Sequence, residues 1–101
     1  MFAGFIKDKA QLPPVDLVWL NPTAAPVPQE PSALYAMAGI LAAAVTVPAM
    51  QAFVTYLDRL PSREYSIMAM DIATRRKPEL AHTPAFLPWA KANAYILGLT
   101  Q

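Results

Sequence analysis

Between Pro31 and Leu57 the chain carries no charged side chain. A charge-free stretch of this length crosses a membrane, fills a core or lies under a partner, because water does not cover so much apolar surface cheaply. It exceeds the ~20 residues that a helix needs to span a bilayer. The triplet Thr46-Val47-Pro48 argues against a single span. Proline lacks an N–H and pushes the residue before it out of the helical region. Thr46 is placed to cap a new helix, with Pro48 tolerated in its first turn. Alanine adds little to membrane insertion, and the flanks lack an aromatic belt or a strong Lys/Arg bias. The stretch is therefore expected to fold as two helices of ordinary soluble length. A small membrane protein with a span within 32–57 is the alternative.

Thr46–Leu60 is the segment around which the rest is expected to pack. Met50, Phe53, Val54, Leu57 and Leu60 fall on one helical stripe, whereas Gln51, Thr55, Asp58 and Arg59 fall largely on the other side. Pro61 ends the segment. Before it, Ser32–Val45 is Ala-rich, with Ser32 as cap and Leu34, Met37, Leu41 and Val45 on one face. Tyr35 and Ile40 lie off that face. Gly39 weakens this helix by ~1 kcal/mol relative to alanine. After Pro61, Ser62 is placed to cap a third helix. Its expected core stripe is Tyr65, Met68, Ala69 and Ile72, widened by Ile67 and Met70. Arg75, Arg76 and Lys77 close its last turn, where cations favour the helix dipole. Asp71 is spaced to pair with Arg75. Pro78–His82 reads as a short turn. Thr83-Pro84 reads as the start of a fourth helix carrying Phe86, Leu87, Trp89, Ala90, Ile96 and Leu97, with Gly98 as its C-cap.

The N-terminal thirty residues read differently. Met1–Leu12 is expected as a short helix with Phe2, Phe5, Ile6 and Leu12 apolar, ended by Pro13-Pro14. Its charges follow its apolar residues, which is not the order of a secretory leader. Val15–Leu20 is a short apolar run between prolines, and an extended docking segment pinned by Trp19 is expected there. Residues 21–31 carry four prolines and should be extended and polyproline-like. Pro28 and Pro31 have PxxP spacing, and a stiff linker over the surface is the simpler expectation.

The expected fold is thus all-α: a small four-helix bundle-like domain over 32–101, with helices near 32–45, 47–60, 62–76 and 84–97. An N-terminal segment and extended Pro-rich arm occupy 1–31.

Composition narrows function by exclusion. With no cysteine there is no disulfide and no thiolate metal site. A cytoplasmic location fits this. Only 15% of residues are charged, against about 25% in typical soluble domains. Eight Lys+Arg against seven Asp+Glu give no bulk attraction for nucleic acid. The single histidine, His82, has no nucleophile or orienting acid in any motif beside it. Ser32, Ser62, Thr46 and Thr83 are explained as caps. No nucleotide-binding or hydrolase motif is present. No catalytic, cofactor or metal residue is expected. Met37, Met50, Met68 and Met70 read as core packing.

Several strings together carry a resemblance. They are Asn21-Pro22, Val27-Pro28, Glu30-Pro31-Ser32, Tyr56-Leu57-Asp58-Arg59-Leu60-Pro61, Glu64-Tyr65, Asp71, Arg75-Arg76, Thr83-Pro84-Ala85-Phe86 and Trp89-Ala90. Over about residues 20–95 the chain resembles the helical C-terminal part of MoxR-like AAA+ ATPases of phages and prophages. The family's nucleotide-binding motifs have no counterpart here, so no catalytic residue carries over. The resemblance implies a non-catalytic appendage that binds or regulates a partner subunit.

The expected function is a non-catalytic protein–protein interaction module, with a protein partner or self-association. Phe2, Phe5, Ile6, Val15, Leu17 and Trp19 are its candidate contacts, since they precede the helical body; packing onto that body is the competing role. A small nucleic-acid-binding or host-directed phage regulatory protein is the alternative. Arg75, Arg76 and Lys77 are then the candidate phosphate contacts.

Overall fold

The computed structural model describes residues 15–94. Phe2, Phe5 and Ile6 lie outside the described residues, as do Ile96, Leu97 and Gly98. Among the described residues all regular structure is helical. Within the described residues there are five α-helices: α1 (Val15–Leu20), α2 (Pro31–Ala44), α3 (Met50–Asp58), α4 (Arg63–Arg76) and α5 (Phe86–Ala92). Two 3-10 segments, Val47–Ala49 and Pro78–His82, precede α3 and α5.

The charge-free stretch is broken where Thr46-Val47-Pro48 predicts. α2 ends at Ala44, Val45 and Thr46 are extended, and Pro48 sits in the 3-10 turn that leads into α3. Among the described residues no helix is long and apolar enough to cross a membrane.

The stripe on α3 behaves as its spacing requires. Met50, Phe53, Val54, Leu57 and Leu60 are all buried, joined by Tyr56. On α2, Leu34, Met37, Ala38, Leu41 and Ala42 are buried, and Val45 follows them inside. α2 pairs most extensively with α4. Both helices bring fully buried alanines four residues apart, Ala38 and Ala42 on one and Ala69 and Ala73 on the other. Small side chains let helix axes approach closely. This shifts the buried face of α4 from the expected stripe. Ser66, Ala69, Met70 and Ala73 are innermost, while Tyr65, Ile67, Met68 and Ile72 flank them half-buried.

Several expected features of chain geometry are corrected. Thr46 does not cap α3: its side chain makes no cap hydrogen bond, and Ala49 holds the cap position of that helix. Val15–Leu20 is a helix, not an extended segment. Its buried Val18 and half-buried Val15 and Trp19 recur at i, i+3 and i+4, the helical period, and Asp16, Leu17 and Leu20 point outward. Ser32 does not cap α2: Pro31 is already its first residue and Glu30 holds the cap position. Thr83 does not cap α5. It is buried, and its Oγ1 donates to the Leu80 carbonyl at 2.7 Å, closing the 3-10 segment instead. Within the described residues α5 runs from Phe86 to Ala92, so it starts later than the expected 84; residues 95–97 of the expected helix lie outside the described residues.

Ser62 does cap α4, accepting from the Glu64 N–H at 3.2 Å. Ser66, fully buried, donates to the Leu57 carbonyl at 2.7 Å and ties the end of α3 to α4 across the Pro61 turn.

Candidate functional site

The Pro-rich segment is held against the helical body by two side chains of α3's C-terminal end. The Tyr56 hydroxyl donates to the Pro26 carbonyl at 2.5 Å. The Arg59 guanidinium donates to the carbonyls of Pro22 and Ala25, each at 2.7 Å. The same guanidinium stands 5.7 Å from the centre of the Tyr56 ring, within reach of its negative face. Ala25 is fully buried, Pro28 is buried, and Pro31 opens α2. Of the PxxP pair, Pro28 is thus buried, while Pro31 starts α2 and is exposed. Burial pushes the Tyr56 hydroxyl above its usual value of 10.0, and the Arg59 charge partly offsets this. The expected extended course of 21–31 is corrected in its first half: residues 22–25 form a turn in which the Ala24 and Ala25 N–H groups donate to the Asn21 carbonyl, while the carbonyls of Pro22, Ala25 and Pro26 accept from the α3 side chains.

The candidate contact residues of the N-terminal part divide. Trp19 is half-buried and meets Phe53 edge-on, with ring centres 6.3 Å apart. Val15 packs partly against the same core. Leu17 faces outward, as does its neighbour Leu20.

The basic cluster also divides. Arg75 Nε pairs with Asp71 at 3.0 Å, as the i+4 spacing predicts. Lys77 Nζ donates to the Val45 carbonyl, and to Ala43 at 3.4 Å. It thus satisfies carbonyls at the C-terminal end of α2, which have no partner within the helix. Arg76 is exposed. His82 is exposed beside the buried Leu80 and Thr83. Among the described residues no cluster of His, Cys, Asp or Glu is placed to hold a metal ion.

Around α5 a second polar knot occurs. Asn93 is buried, accepts from Arg63 at 2.7 and 3.2 Å, and donates to the Trp89 carbonyl at 2.8 Å. Arg63 also reaches Asp58 at 3.5 Å. Trp89 is buried, and shallow clefts lie on two sides of it, one bounded by Val54, Pro84 and Pro88 and the other by Ile67, Thr74 and Phe86. In the second, which Asp71 also lines, the Thr74 hydroxyl donates to the Met70 carbonyl at 2.9 Å.

The surface that stands out is the outer side of α2. Tyr35 is 64% exposed, Ile40 40%, and Val47 just beyond the helix 48%. Ala43 and Ala44 are exposed between them, and Ala36 and Gly39 are half-exposed. A methyl group added at Gly39 would meet nothing within 4 Å. Among the described residues the glycine therefore serves no packing need. α2 is apolar on both sides, a pattern that belongs to a helix covered all round. The sequence signal was present in the uncharged run itself, with Tyr35 and Ile40 off the core face.

No family model, curated protein or solved structure matches the chain.

Proposed function

We propose that this chain is a non-catalytic helical protein–protein interaction module, and that the outer side of α2 is its contact surface. One observation carries this reading: an exposed helix face that bears Tyr35, Ile40 and no charge, on a helix whose opposite face is already buried. Exposed aromatic and aliphatic side chains without a charged neighbour are the composition of an interface centre. Leu17 and Leu20 on α1 add apolar surface of the same kind. The division of roles among the other candidates supports it. Trp19, Arg59 and Lys77 are engaged within the fold, which leaves α2 as the least committed surface.

A subunit of an AAA+ assembly is a partner class consistent with the resemblance of residues 20–95. A host protein met by a phage regulator is another. Both would be met in a cytoplasmic setting.

The test is affinity capture from the source cells with the wild-type chain and with a Tyr35→Lys/Ile40→Lys double variant. Both replaced side chains are exposed, so the fold is retained, as circular dichroism would check. A protein held by the wild type and lost from the variant supports the reading. Equal retention by both removes α2 from it.

A further inference from the structure

We infer that the N-terminal arm, residues 15–28, is an exchangeable element whose seat on α3 takes the same arm of a second copy, giving a reciprocally swapped dimer. The arm is a self-contained piece of structure. The Asn21 N–H donates to the Leu17 carbonyl at 2.9 Å, and the Ala24 and Ala25 N–H groups donate to the Asn21 carbonyl at 3.1 and 2.9 Å. Among the described residues, its hydrogen bonds to the helical body all come from two side chains: Tyr56, which donates to Pro26, and Arg59, which donates to Pro22 and Ala25. Its apolar anchors are the fully buried Val18 and Ala25 and the edge-on contact of Trp19 with Phe53. α1 rests on α3 and, less extensively, on α2. Arm and body are joined by Gln29-Glu30, both exposed, between the buried Pro28 and Pro31, the first residue of α2.

The seat selects its occupant by chemistry. Lifting the arm uncovers Phe53 and Tyr56, both fully buried beneath it, together with Arg59. That surface calls for an apolar pair on a short helix, followed by a turn that offers the main-chain carbonyls of positions 22, 25 and 26. An apolar partner without those carbonyls leaves the buried Tyr56 hydroxyl with no acceptor, which is costly. Residues 15–28 of another copy supply every one of these groups. Exchange therefore keeps each contact between arm and body and alters only the hinge. The hinge favours exchange as well. A residue before proline is held extended, and Glu30, which precedes Pro31, has φ −92° and ψ 142°. Among the described residues Gln29 makes one hydrogen bond, from Nε2 to the Val27 carbonyl at 3.1 Å, and none to the body. A short, proline-flanked, extended connection directs the arm outward, and short hinges invite swapping. The exchange does not depend on α2 as a contact surface, since neither Tyr35 nor Ile40 takes part in it.

The test uses the wild-type chain. Carbon-13-labelled and unlabelled chains are unfolded in urea, mixed, refolded at high concentration and separated into monomer and dimer by gel filtration. In the dimer, an isotope-filtered NOE is expected between the Trp19 ring of one copy and the Phe53 ring of the other. In the monomer the same contact is expected only within one chain. A Gly-Ser insertion between Gln29 and Glu30, which gives the arm slack to return to its own body, should lower the dimer share several-fold. The Tyr35→Lys/Ile40→Lys variant should form as much dimer as the wild type. No dimer on refolding, or a dimer without the Trp19–Phe53 contact between copies, overturns the exchange. A dimer lost from the Tyr35→Lys/Ile40→Lys variant also overturns it and assigns association to α2. A dimer share unchanged by the insertion overturns Gln29-Glu30 as the hinge.

Discussion

The Tyr56 hydroxyl donates to the Pro26 carbonyl at 2.5 Å, across thirty positions of the chain. It fastens a proline-rich segment whose own backbone makes a turn at Asn21, where the Ala24 and Ala25 N–H groups donate to one carbonyl. Tyr56→Phe removes this bond without changing the buried ring. A single hydrogen bond contributes about 1 kcal/mol net, so urea denaturation should show a loss of about that size. Arg59→Met, which releases two carbonyls at once, should cost at least as much.

The same hydroxyl predicts a response to alkali. Burial raises its folded-state value above 10.0, so between the two values the folded chain holds a proton that the unfolded chain has released. Its contribution is therefore fully present below about pH 10 and is lost as pH rises through the higher folded value. Thermal unfolding between pH 9 and 11 should show a decline that is shallower in Tyr56→Phe. An equal decline in both would place the alkaline sensitivity elsewhere.

Lys77 acts as a cap. Its ammonium group satisfies the Val45 and Ala43 carbonyls, and Lys77→Met should cost about 1 kcal/mol. Arg76→Ala, at an exposed position, should stay within about 0.5 kcal/mol of wild type. Fluorescence anisotropy with a labelled oligonucleotide separates the nucleic-acid alternative. Salt-sensitive binding that falls in both Arg75→Ala and Arg76→Ala would favour that alternative over the interaction module.

Asn93 is buried between the Arg63 guanidinium and the Trp89 carbonyl. Asn93→Leu leaves the Arg63 guanidinium with Asp58 at 3.5 Å and the Trp89 carbonyl with the main-chain N–H of residue 93, and should cost about 1 kcal/mol. The change should be read from chemical denaturation together with Trp89 fluorescence, since α5 loses its anchor.

The large features of this fold were legible because large side chains mark them. The α3 stripe of Met50, Phe53, Val54 and Leu57 and the break at Thr46–Pro48 follow directly from spacing and from proline's missing donor. Val15–Leu20 was not legible: six residues make less than two helical turns, and both periods fit so short a run. The buried face of α4 was misplaced because Ala69 and Ala73, the smallest residues available, carry the contact with α2. The α3 clasp on the Pro-rich segment left no pattern, since its acceptors are main-chain carbonyls that every residue has. Thr83 looked like a helix cap, but the 3-10 segment before it competes for its hydroxyl. The α2 surface was visible as an absence of charge; that its outer side stays exposed needed the positions of α3 and α4.

Gly39→Ala adds a methyl group that meets nothing within 4 Å among the described residues. It should stabilise the chain by up to about 1 kcal/mol through helix propensity, read as a higher melting temperature by differential scanning fluorimetry.

Affinity capture with the wild-type chain and with Tyr35→Lys/Ile40→Lys tests the central claim most directly, since both side chains are exposed on α2. A protein held by the wild type and lost from the variant is the predicted result. Equal retention by both, with the fold of the variant intact by circular dichroism, would contradict α2 as the contact surface.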